Sequence, residues 1–316
     1  MSSYPLTMHR TLALTLPPDA TDALLRELEP LDEVIGLSVQ RGAARKPVGD
    51  VVTVQVLNRG ADEVLRRARA AVSNPAALSI VTTEVTSFIA PAQHQAVDDD
   101  RDEAIWEEME SGLRHQGRIT TNYLLLMGLG GIVAAIGLVS EPVPQAVAFV
   151  ASAIIAPGFD PMTKVPLGLV LRHWSLVQRG VRSALAGYAV LVVAAALTML
   201  ALVAAGEASG EQLATNPEVQ HLAHPKLLEL LLAGAGALAG VVILAAYRRS
   251  FQAGPLIAMA FIPAAALIGA GLAVGRLDLA LEGLERFGAD WGFILALGIP
   301  FLWLKQRLVH RRQPLV

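Results

Sequence analysis

The chain has 316 residues, of which 53% are hydrophobic and 17% charged, and its net charge is −3. A mean hydropathy of +0.50 is too apolar for an ordinary soluble protein of this size and points to an integral membrane protein whose main partner is the lipid bilayer. The charge balance gives no argument for a nucleic-acid partner, and the absence of cysteine excludes disulfides, Fe–S clusters, thiolate zinc sites and cysteine nucleophiles.

The apolar residues are concentrated after about residue 118, so three segments are expected: a head over 1–95, a linker over 96–118 and a membrane domain over 119–316. The N-terminus lacks a basic stretch followed by an apolar one, which leaves the head in the cytoplasm. Residues 9–16 (HRTLALTL) alternate like a half-buried strand closed by Pro17 and Pro18. A helix follows over 20–28, then strands over 34–40 and 51–57 joined by a basic, turn-rich loop. A second helix over 61–73 places Val64, Leu65, Ala68 and Val72 at helical spacing, and a β-branched strand covers 78–89. The order βαββαβ predicts a ferredoxin-like split βαβ sandwich, making the whole chain α+β. Such heads bind metabolites or hold subunits together, so a homo-oligomer is expected. The loop over 41–46 suits an anion or is simply a solvated basic turn. In the linker Ile105, Met109 and Leu113 recur every four residues, which predicts an amphipathic helix with its acids on a solvated face.

Uncharged runs predict six spans: 119–140, 142–171, 183–206, 230–247, 250–275 and a shorter last one over 291–304. Basic residues fall mainly on one side, at Arg114, Arg118, Arg172, Arg179, Arg182, Arg248, Arg249, Lys305, Arg307, Arg311 and Arg312. Only Lys226, Arg276 and Arg286 fall on the other. That asymmetry places both termini in the cytoplasm, with the chain in the inner (plasma) membrane. Six spans divide into two three-span halves of opposite topology. The middle span of each carries helix breakers, Pro157, Gly158 and Pro161 in the first and Gly254, Pro255 and Pro263 in the second. Paired broken spans in inverted halves point to a transporter's central site.

The string SAIIAPGFDPMTKVPLGLVLRHW, preceded by Asn122 in TTNYLLLMGLGGIVAAIGLV, resembles an uncharacterised prokaryotic family of hydrophobic domain-of-unknown-function proteins. NPEVQHLAHPKLLELLLAGAGALAG and GPLIAMAFIPAAALIGAGLAVG look similar too, so the resemblance covers most of 120–304. It implies a multi-span membrane protein and supplies no settled substrate. Phe159 and Asp160 stand where the family often has Met-Gly, His224 replaces a common Arg or Thr, and Pro263 is single where paired prolines are frequent.

Asp160 and Lys164 are four apart and share a helical face, as a cation or proton site beside an anion site, or as a structural pair with Lys164 reaching outward. Ser152 and Thr163 offer hydroxyls, although such groups commonly bond back to their own helix. Asn122 is placed to brace the broken helix or meet substrate, and Phe159 lies within the break. Glu218, His221, His224 and Glu229 match no recognised ligand pattern, so no metal or cofactor is expected. Catalysis is not expected either, because Asp160 is the only carboxylate read within a span and no nucleophile elbow, P-loop or dinucleotide fingerprint occurs. The reading is a secondary transporter or channel-like carrier of a small-molecule or ion substrate, such as an anion or metabolite. The alternative is a membrane-anchored metabolite sensor or scaffold whose head binds the ligand.

Overall fold

The computed structural model describes residues 9–85, 91–100, 104–115, 117–246 and 259–310. They fall into two compact units, one from 1–108 with 309–316 and the other from 109–308. Gly254 and Pro255 of the second predicted break lie outside the described residues, as do Arg248, Arg249, Arg311 and Arg312.

The first unit contains a four-stranded antiparallel sheet in the order β2-β3-β1-β4. Its strands are β1 (His9–Leu16), β2 (Val34–Arg45), β3 (Val48–Val56) and β4 (Ser79–Val85). Leu12 faces Val54 and Leu14 faces Val52 across the β1–β3 ladder. Because side chains alternate along a strand, these residues bury one face of the sheet. Helices α1 (Pro18–Leu28) and α2 (Ala61–Ala71) supply Leu24, Leu28, Val64, Leu65 and Ala68 to the same core. Pro18 opens α1, where a missing backbone N–H costs nothing. The basic loop predicted between the middle strands is mostly strand, since β2 runs to Arg45 and β3 begins at Val48. Arg41 in it pairs with Asp22 and Asp50.

The acidic linker departs from expectation. It is not one helix but α3 (His94–Asp98) and α4 (Trp106–His115), and several of its acids are buried and paired rather than solvated. Arg10 forms a two-pronged ion pair with Glu108, donating from Nε and Nη2 at 2.7 Å each. Asp100 accepts the Asn58 backbone N–H at 2.6 Å. His310 joins this unit too, accepting at its carbonyl from Trp106 and pairing through its ring with Asp62.

The second unit holds α5 (Thr121–Leu138), α6 (Pro142–Ile155), α7 (Phe159–Val170) and α8 (Trp174–Ala204). Two short helices follow, α9 (Gly210–Thr215) and α10 (Pro217–Ala223). Then come α11 (Leu227–Ala245), α12 (Phe261–Ala273) and α13 (Leu277–Leu308). Among the described residues four helices, α5, α8, α11 and α13, are long and apolar enough to cross a membrane, and the α6–α7 pair, bent by 53°, makes a fifth if counted as one span. Their outward faces carry large exposed apolar residues, such as Leu125, Leu129, Ile132 and Ile136 on α5. This is the pattern expected where lipid is the solvent.

The last predicted span is corrected from a short run to a helix of 32 residues. Its first half was hidden by charge, because Arg286 and Asp290 interrupt the apolar run yet are buried against each other, Nη2 to Oδ1 3.4 Å. Lys305, read as a loop cation, is likewise buried in α13 and donates to the Ala245 carbonyl at 2.9 Å.

Two helix pairs in this unit repeat one geometry. α7 passes through a positive-φ residue, Arg172, into the 31-residue α8, and α12 passes through Gly275 into the 32-residue α13. The turns close alike, with His173 N–H on the Gly168 carbonyl at 2.7 Å and Arg276 N–H on the Gly271 carbonyl at 2.8 Å. A Cβ at Gly180 would stand 2.9 Å from Pro161 O and 2.8 Å from Lys164 Cβ. One at Gly283 would stand 2.9 Å from Ala264 O and 3.2 Å from Leu267 Cβ. All these counterparts lie at one constant displacement along the chain. The preceding helices match too, since Gly128 of α5 faces Val190 and Ala194 of α8 as Gly234 of α11 faces Phe293 and Leu297 of α13.

Candidate functional site at the broken helix

The break falls where α6 ends at Ile155 and α7 begins at Phe159. Ala156 is extended (ψ 116), Pro157 cannot continue the ladder, and Pro161 sits in the first turn of α7, where proline is tolerated. Every residue from Phe159 to Gly168 is buried, including Asp160 and Lys164. An ionisable pair in such a place demands internal partners. Lys164 Nζ donates to the Gly117 carbonyl at 3.0 Å, and Gly117, at φ 57, packs on the Pro161 ring.

The other predicted residues divide sharply. Thr163 Oγ1 donates to the Asp160 carbonyl at 3.0 Å and Ser152 Oγ to the Phe149 carbonyl at 2.8 Å, so both hydroxyls bond back to their own helix. Phe159 presses its ring on Gly240 of α11. Asn122 is exposed, and bracing falls to its neighbour: Tyr123 is buried and its hydroxyl donates to the Ser183 carbonyl of α8 at 2.9 Å. Pro263 breaks no helix, because it lies in the first turn of α12; the irregular backbone is at Ala260, whose φ is 53.

Sequence reading missed several groups that the fold brings inside. Tyr188 of α8 is buried between Phe261 and Phe287, with ring centroids 6.1 and 4.6 Å away, and its hydroxyl touches Gly158 at the break. Among the described residues the Tyr188 hydroxyl, both amide atoms of Gln145 and the Trp291 indole N–H are buried without a hydrogen-bond partner. Asp290 adds a second buried carboxylate on a helix long and apolar enough to span, which corrects the count of one. Single polar residues in apolar runs gave no signal beyond their lone occurrence.

The break, both turns, Arg286 and Asp290 all lie within one stretch. Residues 153–296 match the family model DUF389, a domain of unknown function. The match agrees with the resemblance carried by the broken-helix string, and the matched region runs from the last turn of α6 into the second half of α13. No curated protein matches the chain.

Proposed function

We propose that this DUF389-containing protein is a multi-pass carrier of the plasma membrane that moves a small solute, an anion or metabolite, through a site at the break. In this reading it has six spans in two inverted halves, both termini are cytoplasmic, and it is not an enzyme. The head takes the ferredoxin-like arrangement, for which the sheet order β2-β3-β1-β4 is the support, and regulates or oligomerises. The observation that carries the reading is the recurrence of the α7–α8 geometry in α12–α13. Inverted repeats with interrupted middle spans place substrate between the halves and move one against the other. The unpartnered groups of Gln145 and Tyr188 fit a polar interior, since buried polar atoms in a membrane are costly unless something pairs with them. An aspartyl protease fits less well, because Asp290 is engaged by Arg286.

The chain contains no cysteine, so single-cysteine variants can be tested directly. Gln145→Cys and Tyr188→Cys should react with membrane-impermeant thiol reagents in oriented vesicles, and Leu129→Cys, facing lipid, should not. Proteoliposomes should take up at least one solute from a panel of small anions and metabolites, and Asp160→Asn should abolish that uptake at unchanged yield. Unreactive interior cysteines together with uptake unaffected by Asp160→Asn would remove the assignment.

A further inference from the structure

A cavity of about 540 Å³ opens at the end of the helical unit where α5 and α8 begin. Arg118, Lys164, Arg179 and Arg182 line it with Ile119, Leu176 and Ser183, and no carboxylate is among its lining residues. We propose that this cavity binds a phosphate-type oxyanion, either free or as the headgroup of an anionic lipid.

The cations converge for identifiable reasons. Leu176, Arg179 and Ser183 form one stripe of α8, and Arg182 flanks it. Gly180 lets that stripe approach α7 at Pro161 and Lys164, which carries the arginines to the buried lysine. Lys164 is 2% exposed and spends one donor on the Gly117 carbonyl. An ammonium has three protons, so donors remain for an anion. Among the described residues Arg118, Arg179 and Arg182 have no carboxylate within salt-bridge distance. Asp160, one turn before Lys164, offsets a single charge of the four. A surplus of this kind, presented by planar guanidinium groups, matches tetrahedral oxyanions.

The shared geometry of the two helix pairs supplies an internal control. At the corresponding positions of α12 and α13 stand Leu267 for Lys164, Glu282 for Arg179, Glu285 for Arg182 and Arg286 for Ser183. The packing therefore does not require the cations. The positive-inside bias accounts for exposed arginines at one end of a bundle, but not for a buried lysine lining the same cavity. Basic pockets between spanning helices suit phosphate headgroups, and the volume leaves room for an organic body beyond the phosphate.

The test uses the purified full-length protein. Inorganic phosphate is titrated into delipidated protein in neutral detergent by calorimetry, with chloride at equal ionic strength as control. In parallel, retention of phosphatidylglycerol against phosphatidylcholine is measured by native mass spectrometry. Arg179→Gln and Arg182→Gln, both at exposed positions, should each weaken binding about tenfold, as expected for loss of a charge-assisted hydrogen bond, and Glu285→Gln should leave it unchanged. Saturable phosphate binding assigns a free anion. Phosphatidylglycerol retention that the arginine variants lose, with phosphate silent, assigns a headgroup. Equal behaviour of wild type and the Arg179→Gln/Arg182→Gln double variant toward both probes overturns the proposal. The site shares Lys164 with the carrier reading but is measured at equilibrium, so binding without flux leaves it standing while removing the carrier, and flux without binding does the reverse.

Discussion

Gly180 on α8 lies against Lys164 on α7 so closely that an added Cβ would stand 2.8 Å from the lysine Cβ and 2.9 Å from the Pro161 carbonyl oxygen. Since the second of these is backbone, even alanine forces the helices apart. Gly180→Ala should therefore cost about 1–3 kcal/mol, as overpacking does. Gly283→Ala, which meets the Ala264 carbonyl in the matching place, should cost a similar amount. Gly288→Ala, with open space around it, should be neutral or slightly stabilising. Thermal unfolding of the three variants in detergent checks this, and equal behaviour of all three would refute the close-approach argument.

The same glycines explain what the sequence did and did not disclose. The head was legible because β1 alternates and α2 repeats at helical spacing, so burial follows from period alone. The break was legible because Pro157, Gly158 and Pro161 act locally. The resemblance between halves was not, because what recurs is contacts, Gly180 on Pro161 and Gly283 on Ala264, while their neighbours differ in identity. That Tyr123 rather than Asn122 turns inward was not legible either: an apolar run marks a helix but not which face is buried, and packing against Ser183 decides it. Arg286 and Asp290 ended the last run too early because a residue-by-residue reading cannot see that two opposite charges are buried side by side.

The Arg10–Glu108 pair gives a stability prediction for the head. Both side chains are buried, 5% and 9% exposed, so removing one partner strands the other in a poorly solvated place. Arg10→Met alone should lower stability by about 3–5 kcal/mol, and Arg10→Met/Glu108→Met should recover much of that. Chemical denaturation of the single and double variants measures the difference. A double variant no better than the single would mean that the pair contributes through other contacts.

Acid should act on the head through Glu63. Arg66, donating at 2.8 and 2.5 Å, and Arg67, at 2.6 Å, hold its carboxyl down at about 2. A depressed folded-state pKa means that the stabilisation is fully present above the unfolded carboxyl's ordinary value and is lost as pH falls through about 2. The stability difference between wild type and Glu63→Gln should be flat from neutral pH to about 5 and shrink steadily below about 4. The residue is partly exposed, so added salt should reduce the difference at every pH. A difference that grows on acidification would reverse the sign of the argument.

Arg286 and Asp290 lie one turn apart on α13, both buried, with Nη2 and Oδ1 3.4 Å apart. Either residue alone would be an uncompensated charge inside a spanning helix, so Arg286→Met and Asp290→Leu should each reduce folded yield and thermal stability markedly. The double variant Arg286→Met/Asp290→Leu replaces the pair with apolar volume and should return much of the stability. Function separates a structural pair from a working one. If the charges serve only each other, the double variant should also regain solute uptake. If the carrier uses them, the stable double variant should remain inactive, and its interior cysteines, introduced at Gln145 or Tyr188, should be reactive from one side of the vesicle alone.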